Sequence, residues 1–332
     1  GNAQSSGEPL LPVQETQPQD NNLAIDNAQA DDDPLFPVQV DGNEGYIDKT
    51  GQMVISPQFE IFDPGHLDSF AEGLASIQVL GPAIGTDKYG YIDKTGKMII
   101  SPRFTVAKNF SEGLAPVQIG DYLTGKWGFI DRTGNMVISP QFDWANGFSE
   151  GLAAVLIGGL QTGKLGFIDK TGKLIINPQF GLALYFSEGL AAVQIGDQKT
   201  GKWGYIDKTG KIVIYPVFTF AGCFSDGLAP VQVGPLLTGK WGYIDKTGNM
   251  VINPQFYYAS SFSEGLASVQ IGDEGTGKYG FIDKTGNIVI DPQFDDAASF
   301  QNGLACVRIG DEYTGKYGYI NKTGKYVWEP SN

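Results

Sequence analysis

A chain of 332 residues with 46 glycines, 18 prolines and only 18% charged residues is suited to many short strands and tight turns, and no apolar run approaches the roughly 20 residues a membrane-spanning helix needs. A net charge of −14 without a basic cluster argues against nucleic acid as a partner, because phosphate recognition draws on grouped Lys and Arg. The one histidine, His66, and two cysteines lie far apart in the sequence and build no common site, which argues against a His-based catalytic triad or a zinc site.

In chain order, residues 1–34 read as an acidic tail rich in Gln, Asn and Pro, with five Asp, two Glu and no Lys or Arg in residues 1–38. Its composition predicts disorder. Two apolar spots interrupt it, and Leu10, Leu11, Val13, Leu23 and Ile25 are the candidate assembly residues, able to pair with an exposed strand edge of another chain.

Residues 35–332 form the second domain. An aromatic-Gly pair followed by Tyr/Phe-Ile-Asp-Lys/Arg-Thr-Gly returns every 38 residues from Gly90 to Gly318, and an earlier copy at Gly45 precedes Gly90 by 45. The seven extra residues of copy one include a loop insertion with His66, whose plain reading is an exposed loop residue.

One unit shows the logic. Trp127–Asp131 and Asn135–Ser139 flank a three-residue hairpin loop in which Gly134 supplies the positive φ of a type I turn with a G1 bulge, and Asp131 at the turn entry accepts backbone N–H groups. Asp207 and Gly210 repeat these roles. Pro140 is expected to end the second strand, a connector to follow, and Leu152–Ile157 to make a third strand. Ile130, Val137, Phe142, Phe148, Leu152, Val155 and Ile157 are the expected core. The free exchange of Tyr and Phe at 46, 91, 129 and their counterparts marks a packing position. Cys223 and Cys306 fall at different positions of their copies and are expected to be free, mostly buried thiols.

This pattern, clearest in Lys126-Trp127-Gly128-Phe129-Ile130-Asp131-Arg132-Thr133-Gly134 and Lys202-Trp203-Gly204-Tyr205-Ile206-Asp207-Lys208-Thr209-Gly210, resembles the WG-repeat (KWG-type) family of bacterial β-rich repeat proteins. The resemblance implies a repeat scaffold, often on exported or surface proteins, with no shared activity and no cofactor. Eight copies predict an all-β chain of tandem three-stranded repeats in an open β-solenoid-like stack. A β-propeller is the alternative, since its blades run to about 40 residues. Glu44, Asn321 and Trp328, which depart from the pattern in the first and last copies, read as end caps of the stack.

For function, recurrent carboxylates at 48, 93, 131 and on, and at 72, 112, 150, 188, 226 and 264, would line up in a stack. Local turn capping explains the first series, and no dense oxygen-ligand loop for calcium is present, so no metal is expected. Tyr89, Trp127, Trp203, Trp241, Tyr279 and Tyr317 are candidate glycan-stacking rings, although Leu165 in the same series favours packing. The expectation is a non-catalytic, secreted or cell-envelope structural and interaction protein that binds a protein partner or its own copies, self-assembling into a fibre through its tail. A glycan-binding module is the alternative.

Overall fold

The computed structural model describes residues 34–331 apart from 41–42, 61–68, 82–85, 197–199, 237, 274–275 and 312–313. Every element among them is a β-strand, and the strands gather into eight antiparallel sheets. Numbered as blades 1 to 8 these cover residues 36–60, 74–104, 106–142, 144–180, 182–218, 220–256, 258–294 and 296–331. Blade 3 is representative: a two-residue inner strand Val106–Ala107, then Leu114–Ile119, Lys126–Asp131 and the outer strand Met136–Phe142, paired in sequence order.

The three-stranded unit is corrected in two ways. Ala153–Ile157 pairs with the hairpin that follows it, Val155 opposite Gly166, so each blade begins with the strand first assigned to the preceding copy. The connector also hides a fourth strand of two residues, too short for any periodicity to betray.

Pro140 does not end its strand either. The outer strand runs on to Phe142, and the ladder shifts register between Met136 and Ile138 and again between Ile138 and Phe142. These irregularities accommodate the missing N–H and turn Ile138 inward. Of the expected core, Ile130, Phe142, Phe148, Leu152 and Val155 are buried, whereas Val137 is 49% exposed and Ile157 38%. The first bulge sends Met136 and Val137 together to the outside, and Ile157 lies at a strand end.

The open stack is overturned by the ends of the chain. Between successive blades a ring at the Tyr/Phe position meets a phenylalanine of the next blade, as in Tyr91–Phe110, Phe129–Phe148 and Tyr205–Phe224, with centroids 4.8–4.9 Å apart. After blade 8 no such phenylalanine remains downstream, and Tyr319 instead meets Phe36 of blade 1 at 5.4 Å, edge to face. Its hydroxyl donates to the Pro37 carbonyl at 2.8 Å. Phe36, Val38 and Ile47 share one buried cluster with Leu304 and Tyr319, against which Val327 and Trp328 pack. The eight sheets therefore close into an eight-bladed β-propeller, and among the described residues no strand is exchanged between blades. Glu44, 5% exposed and accepting from the Tyr46 hydroxyl, and Trp328 are seam residues, not caps.

Near-equivalent residues of adjacent blades touch directly around the short strands: the Ser149 hydroxyl donates to the Phe186 carbonyl at 2.6 Å and that of Ser187 to Phe224 at 2.6 Å. The separation of equivalent points grows with distance from a ring's axis, so the two-residue strands and the turns after them form the inner rim. The last strand of each blade is the outer edge.

Candidate functional site: blade contacts and the outer edge

The hairpin loops behave as their sequence predicts. Asp131 Oδ1 accepts from the Thr133 hydroxyl at 2.6 Å and from the Thr133 and Asn135 N–H groups at 2.9 Å, and Gly134 has φ +88°. Asp207 does the same with Thr209 and Lys211, and Gly210 has φ +84°. The Thr133 hydroxyl is the main reason that Asp131 is held below the usual carboxylate range; the N–H groups add to it and desolvation opposes it. Gly134 also abuts the previous blade, where a Cβ would lie 3.1 Å from Ile100.

The second carboxylate series joins one blade to the next. Glu112 and Gly113 form a two-residue turn closed by reciprocal Ser111–Leu114 backbone bonds, with Glu112 at φ +53°, a left-handed conformation that costs a glutamate. Its carboxylate accepts from the Gly151 N–H of blade 4 at 3.1 Å and pairs with Lys170 of that blade at 3.0 Å. Glu150 takes Gly189 and Lys208, Glu188 takes Gly227 and Lys246, and Glu264 takes Gly303 and Lys322. The carboxylates at 112, 150, 188, 226 and 264 are thus each spent on a backbone N–H and a lysine of the following blade, whereas Glu72 takes the Gly113 N–H and its backbone carbonyl accepts from Arg132.

The glycine of each aromatic-Gly pair lies under the bulged outer strand. A Cβ on Gly128 would stand 2.4 Å from the Ile138 carbonyl oxygen and 2.8 Å from the Pro140 nitrogen, backbone atoms that cannot yield, and Gly166, Gly204, Gly242 and Gly280 meet the same obstruction. Over residues 45–81, 89–122, 127–160, 166–198, 203–235, 241–274 and 279–313 the sequence matches the WG containing repeat. The chain belongs to the WG-repeat family. Seven repeats are matched in this way, and the eighth blade completes the ring.

No curated protein sequence matches the chain. Among solved structures it is similar to a eukaryotic initiation factor, with 13% identity, a TM-score of 0.53, and 90% of this chain and 95% of that one covered. It is also similar to the β-propeller domain of the Trilobed protease from Pyrococcus furiosus, described as having an open velcro topology, at 10% identity, TM-score 0.52 and coverage of 78% and 93%. Oligopeptidase B from Trypanosoma brucei is matched at 8% identity and TM-score 0.54 over 78% of this chain and 47% of that one. At these identities the likeness carries the propeller fold alone.

The residues at the WG aromatic position differ in exposure. Trp127, Leu165, Trp203 and Trp241 are buried, and Tyr89, Tyr279 and Tyr317 are half-buried. From blade 5 to blade 7 they alternate with inner-strand rings in a continuous row, Trp203, Phe220, Trp241, Tyr258 and Tyr279, with neighbouring centroids 5.7–6.2 Å apart. The half-buried Trp144, Phe220 and Tyr258 occupy inner-rim positions that sequence reasoning passed over, because they lie in the unrecognised two-residue strands.

Lys108 was also missed. Its ammonium lies over the rings of Trp144 at 4.1 Å and Trp127 at 5.2 Å and donates to the Ala145 carbonyl at 3.0 Å, and burial pulls it down to about 7. Cys223 is buried and Cys306 half-buried; both are free, and burial pushes the Cys306 thiol up to about 12. The described residues contain no group of three or more His, Cys, Asp or Glu placed to hold a metal. His66 and the tail residues Leu10, Leu11, Val13, Leu23 and Ile25 lie outside the described residues.

The outer edges carry an apolar girdle. Met98 and Ile99, Met136 and Val137, Leu174 and Ile175, Ile212 and Val213, Met250 and Val251, and Ile288 and Val289 are exposed at matching positions of blades 2 to 7. On blade 5 the girdle widens: Tyr215, 76% exposed, and Val217, 66% exposed, stand where blades 3 and 4 carry Ser139 and Gln141 or Asn177 and Gln179.

Proposed function

We propose that this WG-repeat propeller is a non-catalytic structural and interaction protein of the extracellular space or cell envelope, presenting its outer edge to a protein partner or to its own copies. The observation that carries the reading is the apolar girdle with its enlargement at Tyr215 and Val217. A contiguous exposed apolar surface is a feature of interaction sites, and an edge strand with such side chains is otherwise a liability. The WG rings and the Glu–Lys latches support it, being engaged between blades. Placement outside the cell follows what WG-repeat membership implies of many such proteins. Self-association through residues 1–33, with fibres as its product, is part of the same proposal.

Light scattering and negative-stain microscopy test it on the full chain, on a chain beginning at Pro34, and on the full chain with Tyr215→Ser and Val217→Gln. Assemblies of the full chain that dissolve in either variant support the proposal. A full chain that stays monomeric at high concentration removes self-association from it.

A glycan-binding module is the second reading, favoured by the half-buried Trp144, Phe220 and Tyr258 beside buried WG tryptophans at the inner rim, since sugars stack on such rings. Tryptophan fluorescence titrated with cell-wall oligosaccharides decides it: a saturable shift lost in Trp144→Ala supports sugar binding, and no shift with any of them ends it.

A further inference from the structure

The strand that opens blade 1, Phe36–Val40, has a near duplicate in the tail. Residues 9–14 read Pro-Leu-Leu-Pro-Val-Gln and residues 34–39 read Pro-Leu-Phe-Pro-Val-Gln, five of six positions identical, and the preceding residues, Glu8 and Asp33, are both acidic. The resemblance falls on the side chains that the fold uses. Leu35, Phe36 and Val38 are each at most 6% exposed, the Pro37 carbonyl receives the Tyr319 hydroxyl, and the strand pairs with Asn43–Ile47. Leu10, Leu11, Pro12 and Val13 offer the same leucine, the same carbonyl-bearing proline and the same valine in the same order. Two side chains are lost: the Phe36 ring, which Leu11 would replace, and Val40 at the strand's end, where the tail has Glu15.

We infer that residues 9–14 are a reserve copy of this strand, able to take its place beside Asn43–Ile47 and complete blade 1 within the same chain. The two occupants leave different lengths of chain between themselves and Asn43: three residues after Gln39, but 28 after Gln14. Loop-closure entropy, growing as three halves of the logarithm of loop length, then favours the nearer copy by roughly thirty-fold. The Phe36–Tyr319 contact favours it further. Residues 34–39 therefore hold the place at rest, and the reserve enters when they are damaged or drawn away, releasing Phe36 and the segment before it. The inference is independent of fibre formation, because it concerns the monomer.

Val38→Asp in the full chain tests it, compared with the same substitution combined with Leu11→Asp and Val13→Asp. A buried carboxylate on Val38 disables the resting strand. Expected is a fall in Tm of about 8 °C or more with both copies disabled, and less than half of that with residues 9–14 intact. Hydrogen exchange reads the event directly: amides of residues 10–14 become protected in Val38→Asp and are unprotected in the parent. If Val38→Asp fails to fold, Val38→Ala carries the same comparison. Equal losses of Tm with no protection at 10–14 overturn the inference. Rescue that grows with protein concentration, accompanied by dimers, overturns its single-chain form.

Discussion

The seam between blades 3 and 4 and the seam between blades 8 and 1 solve one problem by different chemistry. The regular seam combines a ring pair, Phe129–Phe148, with a hydroxyl bond from Ser111 to the Phe148 carbonyl and the Glu112 latch to Gly151 and Lys170. At the closing seam the positions of Ser and Glu are Gln301 and Asn302, and the residue facing Asn302 in the repeat frame is Pro34, which has no N–H to offer. Asn302 keeps the left-handed φ of +52° that asparagine tolerates better than glutamate. A glutamate is thus kept in a strained conformation where the next blade can use it and is dropped where none can. What remains at the closing seam is apolar packing and the bond from the Tyr319 hydroxyl to the Pro37 carbonyl, with Phe36 filling a place that is Ala115 or Ala153 in other blades.

Phe36→Ala should be the sharpest break of this contrast. It makes the seam residue resemble its counterparts, empties the contact with Tyr319 and costs about 3–4 kcal/mol, or roughly 6–8 °C in Tm. Hydrogen exchange should then accelerate in blades 1 and 8 before the others, which differential exchange by mass spectrometry reads out. Glu150→Ala at a regular seam should cost about 1–2 kcal/mol in denaturant unfolding, since it removes the bond from Gly189 and a pair with a half-exposed lysine. Tyr319→Phe, leaving the Pro37 carbonyl without its donor, should cost about 1 kcal/mol.

Acid sharpens the comparison further. The turn carboxylates, Asp131 and Asp207 among them, are held below the ordinary range, so their contribution is complete above about pH 4 and disappears as pH falls through their lower folded values. In blade 8 the amide of Asn321 accepts the same bonds, from the Thr323 hydroxyl at 2.7 Å and the Thr323 and Lys325 N–H groups at 3.0 and 3.1 Å, without titrating. Asp131→Asn together with Asp207→Asn should flatten the loss of Tm between pH 4 and 2. A base-side counterpart is expected at Lys108, whose folded value of about 7 lies below that of a free lysine. Stability should rise between pH 7 and about 10.4, and Lys108→Leu, matching Leu184 of blade 5, should abolish that rise in thermal scans.

Most of the blade was legible in the sequence, because its signals are local. The Asp-x-Thr-Gly loop, the buried ring at the Tyr/Phe position and the 38-residue pitch need only neighbouring residues to be understood. The inner strand was not legible, since two residues such as Val106–Ala107 define no period, and the bulge at Pro140 broke the alternation that placed Val137 in the core. Closure was hardest, because the angle between blades is set by side-chain packing across the seams. Phe36 in an alanine series and Gln301-Asn302 in a Ser-Glu series were its traces, and they were hidden in residues that looked like ordinary variation. The recurrence of the carboxylates is plain in the sequence, but their glycine and lysine partners are 39 and 58 residues away.

The Glu latch also has a direction. Each carboxylate turn is satisfied by the blade that follows it, so in a growing chain the carboxylate of Glu112 stays unmet until Gly151, 39 residues on, and Lys170, 58 residues on, have been made. The latches can therefore engage one after another from the amino-terminal side, whereas the closing seam, where the latch is missing, needs blade 8 and blade 1 together.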